Sequence, residues 1–398
     1  MSVYRLHSFG NPEILRKLSF DNLMLLVRKY KSYFDSVNFP IPDDATEETF
    51  NYEAFASFLL SPMFDLETGF FDALLLLDAM SREEFFDILA EHIIGKSYAI
   101  PITENVSVGD LALLLYLNEP GLLKKINDRV NMKDPQSFSS FIGRRYISGW
   151  VPSENHVREL QRLFNISFKT HRRGETVRIS KFQNDKEFCF LIRKGEPLSR
   201  HGAILPGHDE TRNLICQLES FDVVVFTPET GRLRMTIGGV KNTWMKTEYP
   251  QIFGRALFAD YEFFIDQPLY DFDVIRTQGR NILATKDVPE ILTVMLTECV
   301  VEIKGDNNSK RTYKAKDVFR DWENENITIK SSDTISRVKF TVEFHDGKKK
   351  TFILYRDNRS GYKYDQYAMI FEDWLILRKI LKTGLGCEVN EEHELVVA

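Results

Sequence analysis

An α+β protein is predicted, with a helical N-terminal domain followed by a mainly antiparallel strand-rich region and a C-terminal helix. Two observations carry this. Near residue 165 the apolar residues change period, from the three-and-four spacing of amphipathic helices to the alternation of strands. NLMLLVRKYKSYF, EEFFDILAEHII and HVRELQRLF lie before the change; VRISKFQ, EFCFLIR, FDVVVF, GRLRMTIG, RVKFTVEF and KTFILYR lie after it. Between the strand-like runs stand clusters of turn residues, RRGE, QNDKE, LPGHDE, TPETGR and IGG.

The elements follow in order. In SREEFFDILAEHII, Ser81 and Glu84 have the spacing of a capping box, with Phe85, Ile88, Leu89 and His92 on one face. Ser107 and Asp110 have the same spacing at the start of VGDLALLLYLN, and Pro120-Gly121 breaks that helix before GLLKKINDRV. Asp134-Pro135 opens a short turn before QSFSSFIGRRY, which is read as part of the helical region. FDVVVF and GRLRMTI form a hairpin around PETG, and a helix interrupts the strands at YPQIFGRALFADYEFF. TVMLTECVVEIKG pairs with RTYKAK, RVKFTVEF turns at HDG into KKKTFILYR, and YAMIFEDWLILRKIL places Ile370, Trp374, Leu377 and Leu381 on one side of a helix. The expected domains are 1–165, acidic and helical; 166–289, strand-rich; 290–386, antiparallel strands and a helix; and 387–398, an acidic tail.

With 398 residues, 43% hydrophobic and 13% aromatic, the chain has enough apolar surface for more than one packed core. Its longest apolar runs, ALLLL and LALLLYL, fall short of the roughly 20 residues that span a bilayer. MSVYRLHSFG lacks the pattern of a secretory signal, so a soluble cytoplasmic protein with no membrane partner is expected. Cys189, Cys216, Cys299 and Cys387 have no paired spacing and are read as reduced, mostly buried thiols rather than disulfides or zinc ligands. The net charge of −6 is uneven: residues 1–165 hold 16 Lys and Arg against 23 Asp and Glu, and residues 166–289 hold 18 against 16. The helical part therefore repels polyanions, while the strand-rich part tolerates them.

The catalytic candidate is Glu302-Ile303-Lys304. A Glu-x-Lys pair on a strand faces one way, and in metal-dependent nucleases it combines with an upstream aspartate, here Asp287 or Asp222, to hold a magnesium or manganese ion and activate water. The competing reading makes Glu302 and Lys304 surface charges of a half-exposed strand whose Met295, Cys299, Val301 and Ile303 point inward. FLIRKGEPLSRHG holds an Arg-His-Gly like that of histidine phosphatases, but Lys194 stands where the nucleophile belongs and His201 lies in the loop beyond. His201, His208 and Asp209 form a loose polar cluster that is read as solvated, and no phosphate-binding glycine loop is present. Basic residues alternate with aromatics in two places. Lys169, Arg172, Arg173, Arg178, Lys181, Arg193 and Arg200 mark the candidate nucleic-acid surface, and Lys348, Lys349, Lys350, Arg356, Arg359 and Lys363 surround Tyr355, Tyr362 and Tyr364.

FLIRKGEPLSRHGAI, FDVVVFTPETGRLRM and YPQIFGRALFADYEFF, about a tenth of the chain, resemble a widespread group of uncharacterised bacterial proteins associated with anti-phage defence gene clusters. That resemblance implies an accessory protein and assigns no site residues. The expected function is a non-catalytic adaptor or recognition subunit of a bacterial multi-protein system, with one or more protein partners, DNA or RNA as a further ligand, and no cofactor. The alternative is the Glu-x-Lys nuclease with magnesium or manganese.

Overall fold

The computed structural model describes residues 6–382 apart from 40, 43, 61–68, 101–105, 133–136, 146, 148, 185, 205–210, 237–242 and 306–308; for 201–204 and 211–214 it describes the backbone alone. The chain is α+β and divides into two compact units, Met1–Asn131 and Met132–Ala398.

The first unit contains α1 (Pro12–Leu15), α2 (Phe20–Lys29), α3 (Lys31–Ser36), α4 (Tyr52–Leu60), α5 (Gly69–Met80), α6 (Phe86–Ile93), α7 (Val108–Asn118) and α8 (Pro120–Asn131). Every residue of α7 from Val108 to Tyr116 is buried, which makes α7 the central helix and explains why its sequence is apolar all round. Its start is fixed as the sequence predicts, with the Asp110 N–H donating to Ser107 Oγ at 3.1 Å. Two buried carboxylates are satisfied by backbone donors. Asp78 accepts from the N–H groups of His7, Ser8 and Phe9, and Asp110 from that of Ser19. The capping box at Ser81 does not form: Ser81 Oγ donates back to the Leu77 carbonyl at 2.7 Å, Glu83–Phe85 make a tight turn, and α6 begins at Phe86.

The second unit is built on one antiparallel sheet. Its strands are β1 (Phe138–Gly143), β2 (Arg178–Gln183), β3 (Phe188–Gly195), β6 (Glu219–Thr227), β7 (Arg232–Met235), β8 (Phe264–Ile265), β9 (Ile291–Glu302), β10 (Lys310–Lys314), β11 (Thr334–Phe344), β12 (Lys349–Tyr355) and β13 (Arg359–Gly361), while β4 (Ser199–Ile204) and β5 (Thr211–Cys216) pair with each other. The order is β10-β9-β11-β12-β13-β1-β7-β6-β3-β2, with β8 also on β1. QSFSSFIGRRY thus supplies the central strand rather than part of a helical domain. Every residue of β1 is buried, and a short run buried on both faces lacks the alternation that marks a strand. The C-terminal strands join the same sheet through β13, so the described parts of the expected domains 166–289 and 290–386 share one scaffold.

Helices cover the two halves of the sheet from opposite sides. Phe141 belongs to the core beneath α9 (Glu154–Thr170) and α10 (Thr243–Phe258). Its neighbour Ile142 points the other way, into the core with α11 (Asp273–Gln278), α12 (Val318–Glu325) and α13 (Ala368–Leu377). The second face of β9 to β13 is therefore solvated: in β11, Ile335, Val338, Phe340, Val342 and Phe344 are buried, while Arg337, Lys339, Thr341 and Glu343 are half-exposed. A bulge at Thr297 shifts the phase of β9, so Val294, Leu296, Cys299 and Val301 point inward and Met295 does not. Ile303 is half-exposed as well. Among the described residues no helix is long and apolar enough to cross a membrane.

Candidate functional site

The three carboxylates of the proposed nuclease set each have a separate cation. Glu302, on the solvated face at the end of β9, lies directly opposite Lys310 of β10 and accepts from its ammonium at 2.7 Å. That hydrogen bond holds the Glu302 carboxyl below its usual range. Asp287, in the segment before β9, pairs with Arg378 just beyond α13. Asp222 is buried in β6, paired with Lys194 of β3 and accepting from the Tyr249 hydroxyl of α10 at 2.6 Å. Lys304 is exposed, and its backbone N–H faces Asp333 at 3.4 Å. Among the described residues no group of three or more His, Cys, Asp or Glu side chains can hold a metal ion. His208, Asp209 and the side chain of His201 lie outside the described residues.

The basic residues of 169–200 do not make one surface. Arg173 is buried, donating to Glu196 at 2.9 Å with its guanidinium 6.0 Å from the Trp244 ring, so it is removed from the candidate contacts. Lys169 pairs with Glu175 at 2.6 Å, and Arg193 with Glu219 at 3.1 Å. Lys181 donates to the Pro152 carbonyl at 2.8 Å and lies 3.1 Å from Glu154. Arg172, Arg178 and Arg200 are exposed. Alternation along an edge strand sends neighbouring cations to different faces, which a list of basic residues does not reveal.

The better-formed polar site lies on the solvated face of β9 to β13. A groove of about 660 Å³ runs across it, and the charged side chains among its described lining are Lys310, Arg337, Arg356 and Arg359 with Glu302 and Asp357. Strand register builds it: Thr312 sits opposite Val300, Val300 opposite Arg337, and Arg337 opposite Tyr355. The Arg359 guanidinium stacks on the Tyr355 ring at 4.5 Å, which gives the groove a flat planar wall. Arg337 also pairs with Glu298, and Arg359 with Asp357 at 2.8 Å, so ion pairs hold these long side chains in place. The sequence flags Tyr355, Arg356 and Arg359, but Lys310 and Arg337 join them only through register.

A second cluster lies wholly inside the second unit. Arg234 is fully buried and donates to Glu187 and Glu372; Arg232 lies 3.1 Å from Glu372 and donates to Ser140 and Tyr270 at 3.1 Å. Tyr362 donates to Glu372 and Tyr364 to Glu187, both at 2.6 Å. Burial, then the adjacent carboxylate, pushes both phenols well above the usual tyrosine range. Two arginines against two glutamates balance in charge, which suits a lock joining β7, α13 and the segment before β3. Burial likewise raises the Cys299 thiol to about 12, and Cys189, Cys216 and Cys299 are all free.

No protein-family model matches the chain, and no curated protein matches it.

Proposed function

We propose that the protein is a non-catalytic recognition subunit that holds nucleic acid on the solvated face of β9 to β13, while its acidic helical unit docks a protein partner. One observation carries the reading: a groove on a polar sheet face whose described lining holds four cations and two anions, with Glu298 paired to Arg337 beside it, in a chain whose net charge is −6. Phosphates attract the guanidinium and ammonium groups, and the Tyr355–Arg359 stack offers a plane to an unpaired base. Residues 1–131 hold 11 Lys and Arg against 20 Asp and Glu, so that unit repels nucleic acid and suits a protein contact. Its exposed Leu25, Leu75 and Ile94 supply apolar anchors for one. The likeness of three stretches to defence-cluster proteins makes foreign nucleic acid in a bacterial multi-protein system the fitting context.

Fluorescence anisotropy with a labelled single-stranded oligonucleotide tests this. With about three phosphate contacts, log affinity should fall against log salt with a slope near −2. Arg337→Glu combined with Arg356→Glu should lower affinity at least about tenfold and leave the circular dichroism spectrum unchanged. Binding indifferent to both salt and charge reversal would remove the groove from the function. Cleavage of plasmid DNA in magnesium or manganese, abolished by Glu302→Ala in a folded protein, would instead establish the nuclease reading.

A further inference from the structure

The cations of the groove on β9 to β13 suit phosphate, but they leave unexplained why a carboxylate stands among them. Glu302 lines the groove directly opposite Lys310, with its side chain 41% exposed and open to a ligand. The Lys310 hydrogen bond first, then the Ser336 hydroxyl and the Arg356 charge, keep that carboxyl ionised. A phosphate brought to Lys310 or Arg356 meets the negative charge of Glu302 at close range. Unless the ligand also carries a donor for it, Glu302 only weakens binding.

Strand geometry decides which donor that is. An ionised carboxylate accepts and never donates, and its two oxygens offer about four acceptor sites; Lys310 takes one of them, on Oε1 at 2.7 Å. The carboxylate is also held in place. Lys310 of β10 grips it from one side, and on the other a bulge of β11 between Ile335 and Arg337 brings in Ser336, whose hydroxyl donates to the Val300 carbonyl at 3.4 Å. The stacking plane of Tyr355 and Arg359 is remote from it, because β11 runs between β12 and β9 and sets those two strands roughly 9–10 Å apart. A base on that plane is out of reach of Glu302, whereas a sugar-phosphate chain held by Lys310 and Arg356 is within it. In a polynucleotide the donor beside a phosphate is the ribose 2′-hydroxyl, which deoxyribose lacks.

We propose that the groove takes single-stranded RNA in preference to DNA, with Glu302 accepting from a ribose 2′-hydroxyl next to a phosphate held by Lys310 or Arg356. This rests on the groove being a nucleic-acid site and adds the class of strand that fills it.

Fluorescence anisotropy of the full chain in EDTA tests the assignment with three labelled strands of one sequence free of uracil and thymine: RNA, DNA and 2′-O-methyl RNA. The methylated strand keeps the 2′ oxygen and loses the donor. RNA should bind about tenfold more tightly than either of the others, the worth of one hydrogen bond to a charged group. Glu302→Ala, a change at a half-exposed side chain, removes repulsion, so DNA should bind as well or better while RNA loses its advantage. A bystander charge would shift both strands alike and leave their ratio unmoved. Equal binding of RNA and DNA by the wild type, undiminished binding of the methylated strand, or an unmoved ratio in folded Glu302→Ala would each overturn the proposal while the groove keeps a nucleic-acid ligand. Binding of none of the strands would overturn it together with the reading beneath it.

Discussion

Replacing Glu372 with glutamine would take away the carboxylate that pairs with Arg232 and leave Arg234 with Glu187 alone, in a fully buried site. Removing one partner of a buried ion pair costs about 3–5 kcal/mol, and chemical denaturation of Glu372→Gln should show a midpoint shift of that size at unchanged m-value. Burial alone would push the Glu372 carboxyl up, but Arg232 and Arg234 outweigh it and hold it below the usual range. Its contribution is therefore complete above the unfolded value of about 4.3 and is lost as pH falls through the lower folded value, because the unfolded chain binds the proton first. Melting curves of the wild type should fall across that acidic window, and those of Glu372→Gln should be flatter there; parallel curves would exclude Glu372 as the titrating group. These side chains were only partly legible. Arg232 and Arg234 alternate inside GRLRM, and Lys194 and Asp222 interrupt apolar stripes, so their oddity shows in the sequence. Their partners do not, since Glu372 lies 138 residues from Arg234, and Tyr249 lies 27 from Asp222.

Local chemistry explains which elements could be read. The β6–β7, β9–β10 and β11–β12 hairpins follow alternation across a reversal, and the structure contains all three. β1 could not be read because burial on both faces erases its period, and the inward set of β9 was misassigned because a bulge changes side-chain phase without changing composition. The candidate groove was half legible for the same reason: Arg356 and Arg359 stand on either side of one tight turn, whereas Lys310 and Arg337 arrive by cross-strand pairing. Helix α10 was visible as an apolar stretch, but its closeness to the following turn was not. A Cβ on Gly254 would stand 2.4 Å from the Asp260 carbonyl oxygen, a backbone atom that cannot step aside. Gly254→Ala should therefore cost about 1–3 kcal/mol in thermal or urea unfolding, and a neutral result would mean that the turn shifts freely.

The two compact units have separate hydrophobic cores, one around α7 and the others on the sheet. Calorimetry should resolve two unfolding transitions, with the change at Gly254 lowering only the one that belongs to the sheet; a single transition moved as a whole would show that the units unfold as one. Charge is divided the same way, with 41 Lys and Arg against 38 Asp and Glu in residues 132–398 and the acidic excess in the remainder. Within the sheet, β13 joins the halves through two residue pairs with β12 and two with β1, whereas β11 and β12 pair along seven. So narrow a bridge is the compliant point of an otherwise stiff plate. Tension applied to the groove side passes in part through Ser360 and its neighbours and through the Arg–Glu clamp beside them, so loosening that clamp would let the plate flex more easily.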